Sequence, residues 1–274
     1  MSGILYIVGT PIGNLDDITV RQLRTLEEAD FICAEDTRVT LKLLNRFEIK
    51  NKLISFHEHS SPAEAQRIME RLISGENGAV VTDAGMPCIS DPGQVLVKLC
   101  SEQGIDVKVV PGPTAMASAA ALSGMKISRF TFEGFLPVPK KERSERLELL
   151  RNETAVMIFY EAPHKLRSTL DDLADVFGGD RKIAVCRELT KLHEETLRTD
   201  LSGAVSHFAE TEPKGEFVLV IEGKQETQEE ISIEAAVEQV KALIDMGEKP
   251  TDACKAVAKE TGFKKGELYA SLQE

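Results

Sequence analysis

The sequence predicts an α/β protein made of a mainly parallel sheet followed by a second, mixed α/β layer, with a small helical module at its C-terminal end. Three observations carry that prediction. Over residues 4–110 short apolar runs alternate with loops and amphipathic stretches, the order that lays parallel strands under helices. Pro111-Gly112-Pro113 then breaks the pattern, because two prolines and a glycine redirect the chain rather than continue a strand. The chain has 274 residues, more than the roughly 150 of one typical domain. The expected divisions are 1–112, 113–226 and 227–274.

Ile4–Val8 reads as the first strand, and the loop Gly9-Thr10-Pro11-Ile12-Gly13-Asn14 leads to an amphipathic stretch with Val20, Leu23 and Leu26 on one face. Phe31–Ala34 precedes a helix through Leu41 and Leu44. Leu53–Phe56 precedes Ser61-Pro62-Ala63-Glu64, a capping box with proline at the first helical position. Ala79–Thr82 leads through a long loop to Asp91-Pro92, which reads as a cap and a proline opening a helix that Gly104 closes. Val107–Val110 is the fifth strand. Past the break, Thr114–Ser123 is small-residue rich and helical, strands are expected at Phe130–Gly134, Ala155–Tyr160, Lys182–Cys186, Thr196–Thr199 and Glu216–Ile221, and a helix at His164–Phe177. Residues 225–230 read as an acidic linker, and Ile233–Met246, Asp252–Glu260 and Lys265–Leu272 as three short helices.

Composition narrows the function classes. With 33 Lys and Arg against 45 Asp and Glu the net charge is −12, so attraction of the whole molecule to nucleic acid or an anionic membrane is excluded and any polyanion must meet a local patch. No apolar run approaches the ~18 residues of a membrane span. The N-terminus enters a strand without a basic preamble, so no secretory signal is expected and the expected compartment is the cytoplasm. The cysteines Cys33, Cys88, Cys100, Cys186 and Cys254 form no C-x-x-C pair, which fits reduced, packed thiols rather than a zinc ribbon or disulfide scaffold.

In open α/β sheets ligands sit beyond the carboxyl ends of the strands. The first loop lacks both G-x-G-x-x-G and G-K-[ST], so it gives little support to a pyrophosphate cradle. The Asp83–Gly93 loop is longer than a strand-to-helix connection needs and combines carboxylates, glycines and prolines, a stiff frame whose backbone can approach a ligand closely. Asp91 reads first as a helix cap. Glu35-Asp36-Thr37-Arg38 and His57-Glu58-His59 follow the second and third strands and reach the same sheet edge; with no H-E-x-x-H and no third ligand, no metal is expected. Lys140-Lys141-Glu142-Arg143-Ser144-Glu145-Arg146 carries four positive charges against two negative, either a solvated helix face or a phosphate contact.

Taken together, these motifs resemble the bacterial small-subunit ribosomal RNA methyltransferase I family of the tetrapyrrole methylase superfamily. The resemblance runs from Leu5–Leu15 through Ala34–Arg38, Asp83–Gly93, Val110–Ala115, Gly134–Pro137, Phe159–His164 and Cys186–Lys191, covering about residues 4–223 and more loosely the tail. It implies a tetrapyrrole-methylase-like two-domain architecture and a homodimer. It also implies an enzyme that uses S-adenosylmethionine to methylate the ribose 2′-hydroxyl of a cytidine in the decoding region of small-subunit ribosomal RNA. Carried over by position, cofactor contacts come from Pro11, from Asp83, Ala84, Gly85, Met86 and Ile89, from Thr114 and Ala115, from Phe159 and Tyr160, and from Gly215, Glu216 and Phe217. Removing a proton from a weakly acidic hydroxyl needs a base. Glu35, Asp36, Glu58, Glu161, Glu188, His57 and His59 are available, with Arg38, Arg187 and Lys191 as cations. The Glu35, Arg38 and Glu188 region is the expected catalytic one, and Lys140, Lys141, Arg143 and Arg146 the expected RNA contacts. A methylase of a tetrapyrrole or other small substrate, and a non-catalytic RNA-binding or ribosome-assembly protein on this scaffold, remain the alternatives.

Overall fold

The computed structural model describes residues 2–89, 91, 93–225 and 232–272. They form two compact units, Met1–Lys224 and Gln225–Glu274. The expected division at 112/113 falls between the two sheets of the first unit, and the one at 226/227, like most of the acidic linker, lies outside the described residues.

In the first sheet β1 (Leu5–Val8), β2 (Phe31–Ala34), β3 (Leu53–Ser55), β4 (Gly78–Val81) and β5 (Val107–Val110) lie in the order β3-β2-β4-β1-β5 and every pairing is parallel. The helices between them are α1 (Val20–Glu28), α2 (Thr37–Arg46), α3 (Pro62–Ile73) and α4 (Gln94–Glu102). β2 and β4 are buried along their whole length, which is why Phe-Ile-Cys-Ala and Gly-Ala-Val-Val lack polar alternation. Phe31, Ile68, Met69, Leu72 and Leu96 form the core on one face; Leu26, Ile32, Leu44 and Val81 form that on the other. Capping boxes start α1 at Thr19–Gln22 and α3 at Ser61–Glu64.

α5 (Ala115–Leu122) follows the Pro-Gly-Pro break. The second sheet contains β6 (Phe130–Phe135), β7 (Val156–Glu161), β8 (Lys182–Arg187), β9 (Glu195–Asp200) and β10 (Phe217–Ile221), in the order β6-β7-β10-β8-β9. Only β6 and β7 pair in parallel, so the layer is mixed. α6 (Lys140–Leu150), α7 (Leu166–Phe177) and α8 (Leu201–Glu210) complete it. The sequence reading did not place α8, although the Asp200 carboxylate accepting from the Gly203 N–H at 2.8 Å is an ordinary N-cap.

The second unit folds α9 (Ile233–Asp245), α10 (Pro250–Thr261) and α11 (Lys265–Ser271) around Ala236, Val237, Val240, Ala253, Cys254, Val257 and Leu268. No helix is long and apolar enough to cross a membrane among the described residues.

Candidate active site

The ends of strands from both sheets open onto one cavity of about 440 Å³, inside the range of roughly 300–1,000 Å³ that small-molecule sites occupy. The first sheet contributes Glu35 beyond β2 and the Thr82–Met86 turn beyond β4; the second contributes Tyr160 and Glu161 at the end of β7 and Glu216–Val218 at the start of β10. The β1 loop is locked to the β4 loop by paired backbone bonds, Thr10 N–H to Gly85 O at 2.8 Å and Gly85 N–H to Thr10 O at 3.1 Å. Gly9 cannot carry a side chain, because a Cβ there would stand 2.7 Å from the Gly112 Cα and 2.8 Å from the Met86 sulfur. The described lining residues include five carboxylates, those of Glu35, Asp83, Asp91, Glu161 and Glu216, and no Lys, Arg or His. Such a wall attracts a cation and repels free phosphate.

The acidic groups are held differently. The Thr82 hydroxyl donates to Glu35 Oε2 at 2.6 Å, and Asp83 accepts the Asp36 N–H at 3.1 Å. Burial, aided by the charges of Glu35 and Asp36, raises the Asp83 carboxyl above its ordinary value. Asp91 is pushed up to about 6 by burial and then by Glu35, with Asp83 adding to the effect against a Thr82 bond that lowers it. The cap expected of Asp91 is not made. Gly93, at φ 118°, occupies the N-cap position and the helix starts at Gln94, so Asp91 lies too far upstream and its side chain lines the cavity instead.

Glu161 is 4% exposed. Its Oε1 accepts the Ala162 N–H at 2.8 Å and its Oε2 the Thr169 hydroxyl of α7 at 2.5 Å. The Thr169 oxygen accepts from Arg143 of α6 at 2.9 Å, and Arg143 Nε donates to Asp172 at 2.6 Å.

The sequence-predicted positions divide. Asp83, Ala84, Gly85, Met86 and Ile89 line the cavity, as do Thr114, Ala115, Tyr160, Glu216 and Phe217. Pro11, Phe159 and Gly215 do not. Phe159 alternates with Tyr160 along β7, so its side chain is buried in the core on the opposite face. Pro11 is buried next to the bridged Thr10, and Gly215, at φ 86°, packs against the Glu188 side chain. Glu35 is in the wall, but Arg38 and Glu188 are not, so this cavity does not bring the expected trio together. Arg38 projects outward, its side chain 87% exposed, and grips Asp36 at 2.6 Å, which draws the Asp36 carboxyl down to about 2. Glu188 is bound by Lys191 at 2.9 Å and by the Glu216 N–H at 3.0 Å. Burial alone would raise its pKa, yet these two bonds outweigh it and leave the carboxyl below its usual range. Lys191 also reaches Glu216 at 2.8 Å, so the pair braces the cavity rim.

The basic segment is divided as well. Lys140 and Lys141 are exposed, but Arg143 is turned inward to Thr169 and Asp172, and Arg146 is paired with Glu133. The spacing explains the correction: Arg143 shares a helical face with Leu147 and Leu150, which are core residues. His57, Glu58 and His59 are exposed, and among the described residues no three His, Cys, Asp or Glu converge as metal ligands. Sequence reasoning missed Thr82, Ile12 and Phe135 as wall residues. Thr82 carried a signal, a polar residue closing an otherwise apolar strand directly before the long loop.

Residues 4–205 match the family of tetrapyrrole (corrin/porphyrin) methylases. A relative from Halalkalibacterium halodurans, named ribosomal RNA small subunit methyltransferase I, is 46% identical over 271 residues, 97% of this chain and 93% of its own. Relatives of the same name from Thermotoga maritima and Bacillus subtilis are 50% and 43% identical, covering 81% and 97% of this chain and 100% and 93% of theirs. The chain belongs to the ribosomal RNA small subunit methyltransferase I family. Solved structures more distant from this family share its fold. The methyltransferase CobJ is 20% identical with a TM-score of 0.62, covering 81% of this chain and 95% of its own. A diphthine synthase is 15% identical with a TM-score of 0.60, covering 81% and 91%.

Proposed function

We propose that this chain methylates the ribose 2′-hydroxyl of a cytidine in the decoding region of small-subunit ribosomal RNA, with S-adenosylmethionine as donor, as a cytoplasmic homodimer. The observation that carries this reading is the 41–50% identity to relatives named for ribosomal RNA small subunit methylation, over most or all of both chains. The cavity fits the donor. Its five carboxylates suit a ligand that carries cationic groups and hydroxyls, its volume suits a nucleoside-sized molecule, and its apolar walls at Ile12, Met86 and Phe217 suit flat or aliphatic parts. When bound, the donor supplies a methyl group on a positively charged sulfur.

The protein's residues do the rest. Asp83–Met86, Thr114, Ala115, Tyr160 and Glu216–Phe217 hold the donor, while Pro11, Phe159 and Gly215 shape its walls from behind. Glu35, kept in place by Thr82, is a proton acceptor at the cavity; Glu188 and Lys191 order its rim; Arg38, Lys140 and Lys141, exposed and cationic, meet RNA phosphates. Alignment of the hydroxyl with the methyl group then supplies much of the rate.

The test is direct. Small subunits from a strain lacking the gene are incubated with purified protein and S-adenosylmethionine, and the RNA is mapped by mass spectrometry. One new methyl on a decoding-region cytidine ribose is expected. Absence of any methyl gain, with the protein folded and binding the donor, overturns the reading.

A further inference from the structure

A buried chain of polar groups runs from the cavity wall into the helix expected to face RNA. It begins at Glu161, which lines the cavity while 4% exposed, continues through the Thr169 hydroxyl at 2.5 Å, and ends at Arg143, 2.9 Å from Thr169 and 2.6 Å from Asp172. The proton inventory gives the chain one direction. Arginine only donates, so the Thr169 oxygen must accept from Arg143, and the one threonine proton is left for Glu161. Both Glu161 oxygens are therefore acceptors in this chain, each with a further lone pair. Thr169 is fully buried and the Arg143 side chain is 10% exposed, so Thr169 depends on these partners and Arg143 depends on them for most of its hydrogen bonding. Burying a carboxylate and a guanidinium is costly without such partners. A wall built only for packing would place an apolar residue at the end of β7.

We propose that Glu161 accepts hydrogen bonds from donor groups of the bound ligand, and that Thr169 and Arg143 are positioning residues that aim its carboxylate into the cavity. The inference rests on S-adenosylmethionine being the ligand. The groups available to Glu161 are the ammonium, amino and ribose hydroxyl donors that this ligand shares with S-adenosylhomocysteine. Arg143 thus serves the donor cavity and not the RNA, although it lies between Lys141 and Arg146 in sequence.

The experiment is isothermal calorimetry of S-adenosylmethionine and S-adenosylhomocysteine with the full chain and with Glu161→Gln, Thr169→Val, Thr169→Ser and Arg143→Met, alongside thermal melts. Thr169→Val and Glu161→Gln are expected to weaken S-adenosylmethionine binding 10-fold or more, and Thr169→Ser, which keeps the hydroxyl, to restore it. The Glu161→Gln, Thr169→Val double variant is expected to lose no more than the worse single variant, since both break one chain. Equal losses for the two ligands are expected, because they share the ammonium, amino and hydroxyl donors, whereas loss confined to S-adenosylmethionine would place Glu161 against the sulfonium charge and overturn the hydrogen-bond assignment. Unchanged affinity in folded Thr169→Val and Glu161→Gln proteins overturns the inference. So does Thr169→Ser binding as poorly as Thr169→Val, which would mark a packing role. Wild-type protein that binds neither ligand overturns the underlying reading instead, and the two failures are distinct.

Discussion

Asp91 shows how one residue's role depends on its surroundings. In sequence it precedes a proline and reads as a helix cap; in the structure it faces Glu35 and Asp83 across the cavity, and its carboxyl is pushed from 3.8 to about 6. The folded protein therefore binds more protons than the unfolded chain between about pH 4 and 6. By linkage, stability falls as pH rises through that window, and the full loss is present above it. A shift of about two units corresponds to ~3 kcal/mol, which partial exposure to solvent reduces to about 1–2 kcal/mol. Asp91→Asn is expected to stabilise the protein by that amount at pH 7 and to have little effect at pH 3, as measured by urea unfolding at the two values. Equal stabilisation at both would show that the carboxylate charge is not the cause.

At the level of elements, helix starts were the most legible features. Ser61–Glu64 forms the capping box its spacing predicts, because the signal is local: one side chain bonds a backbone N–H three residues away. The same locality failed at α6. A run of four cations looks uniform in sequence, but the helix turns Arg143 onto the face of Leu147 and Leu150 and leaves Lys140 and Lys141 in solvent. Two different outcomes are expected. Arg143→Ala removes the partner of Asp172 and of buried Thr169 and is expected to cost about 2 kcal/mol in chemical unfolding. Lys140→Ala with Lys141→Ala is expected to leave stability within about 0.5 kcal/mol. The lysine double variant should also flatten the log–log dependence of RNA affinity on salt by up to ~2. An unchanged salt slope would make these lysines a solvated face.

At the scale of the whole molecule, the chain divides into two compact units. Residues up to Lys224 contain both sheets and the described wall residues of the cavity, and the C-terminal unit has its own core of Val237, Val240, Val257 and Leu268. Between 249 and 266 it carries Lys249, Lys255, Lys259, Lys264 and Lys265 against Asp252 and Glu260, a local excess of three positive charges in a chain of net charge −12. Deleting 228–274 is expected to leave S-adenosylmethionine affinity, read by calorimetry, and the melting temperature of the remainder unchanged. Methylation of assembled small subunits should fall at least 10-fold. Full activity of the truncated protein on that particle would remove any role for this unit in substrate engagement.

The sequence by itself determined the fold class, the succession of the strands and most of the cavity's backbone. Apolar runs, caps and Pro-Gly breaks act over a few residues, and in a parallel sheet strand order in the chain already assigns the loops to one edge. Tertiary structure alone decided which charged side chains face that cavity. Asp91 entered it because Gly93 took over the cap, Glu188 left it for Lys191, and Arg143 left the surface for Thr169. The outcomes for Glu188 and Arg143 depend on partners 3 to 29 residues away. A charge pattern cannot reveal them, because the free energy of a carboxylate or guanidinium is set by the solvent and counter-charges around it in three dimensions and not by its neighbours in the chain.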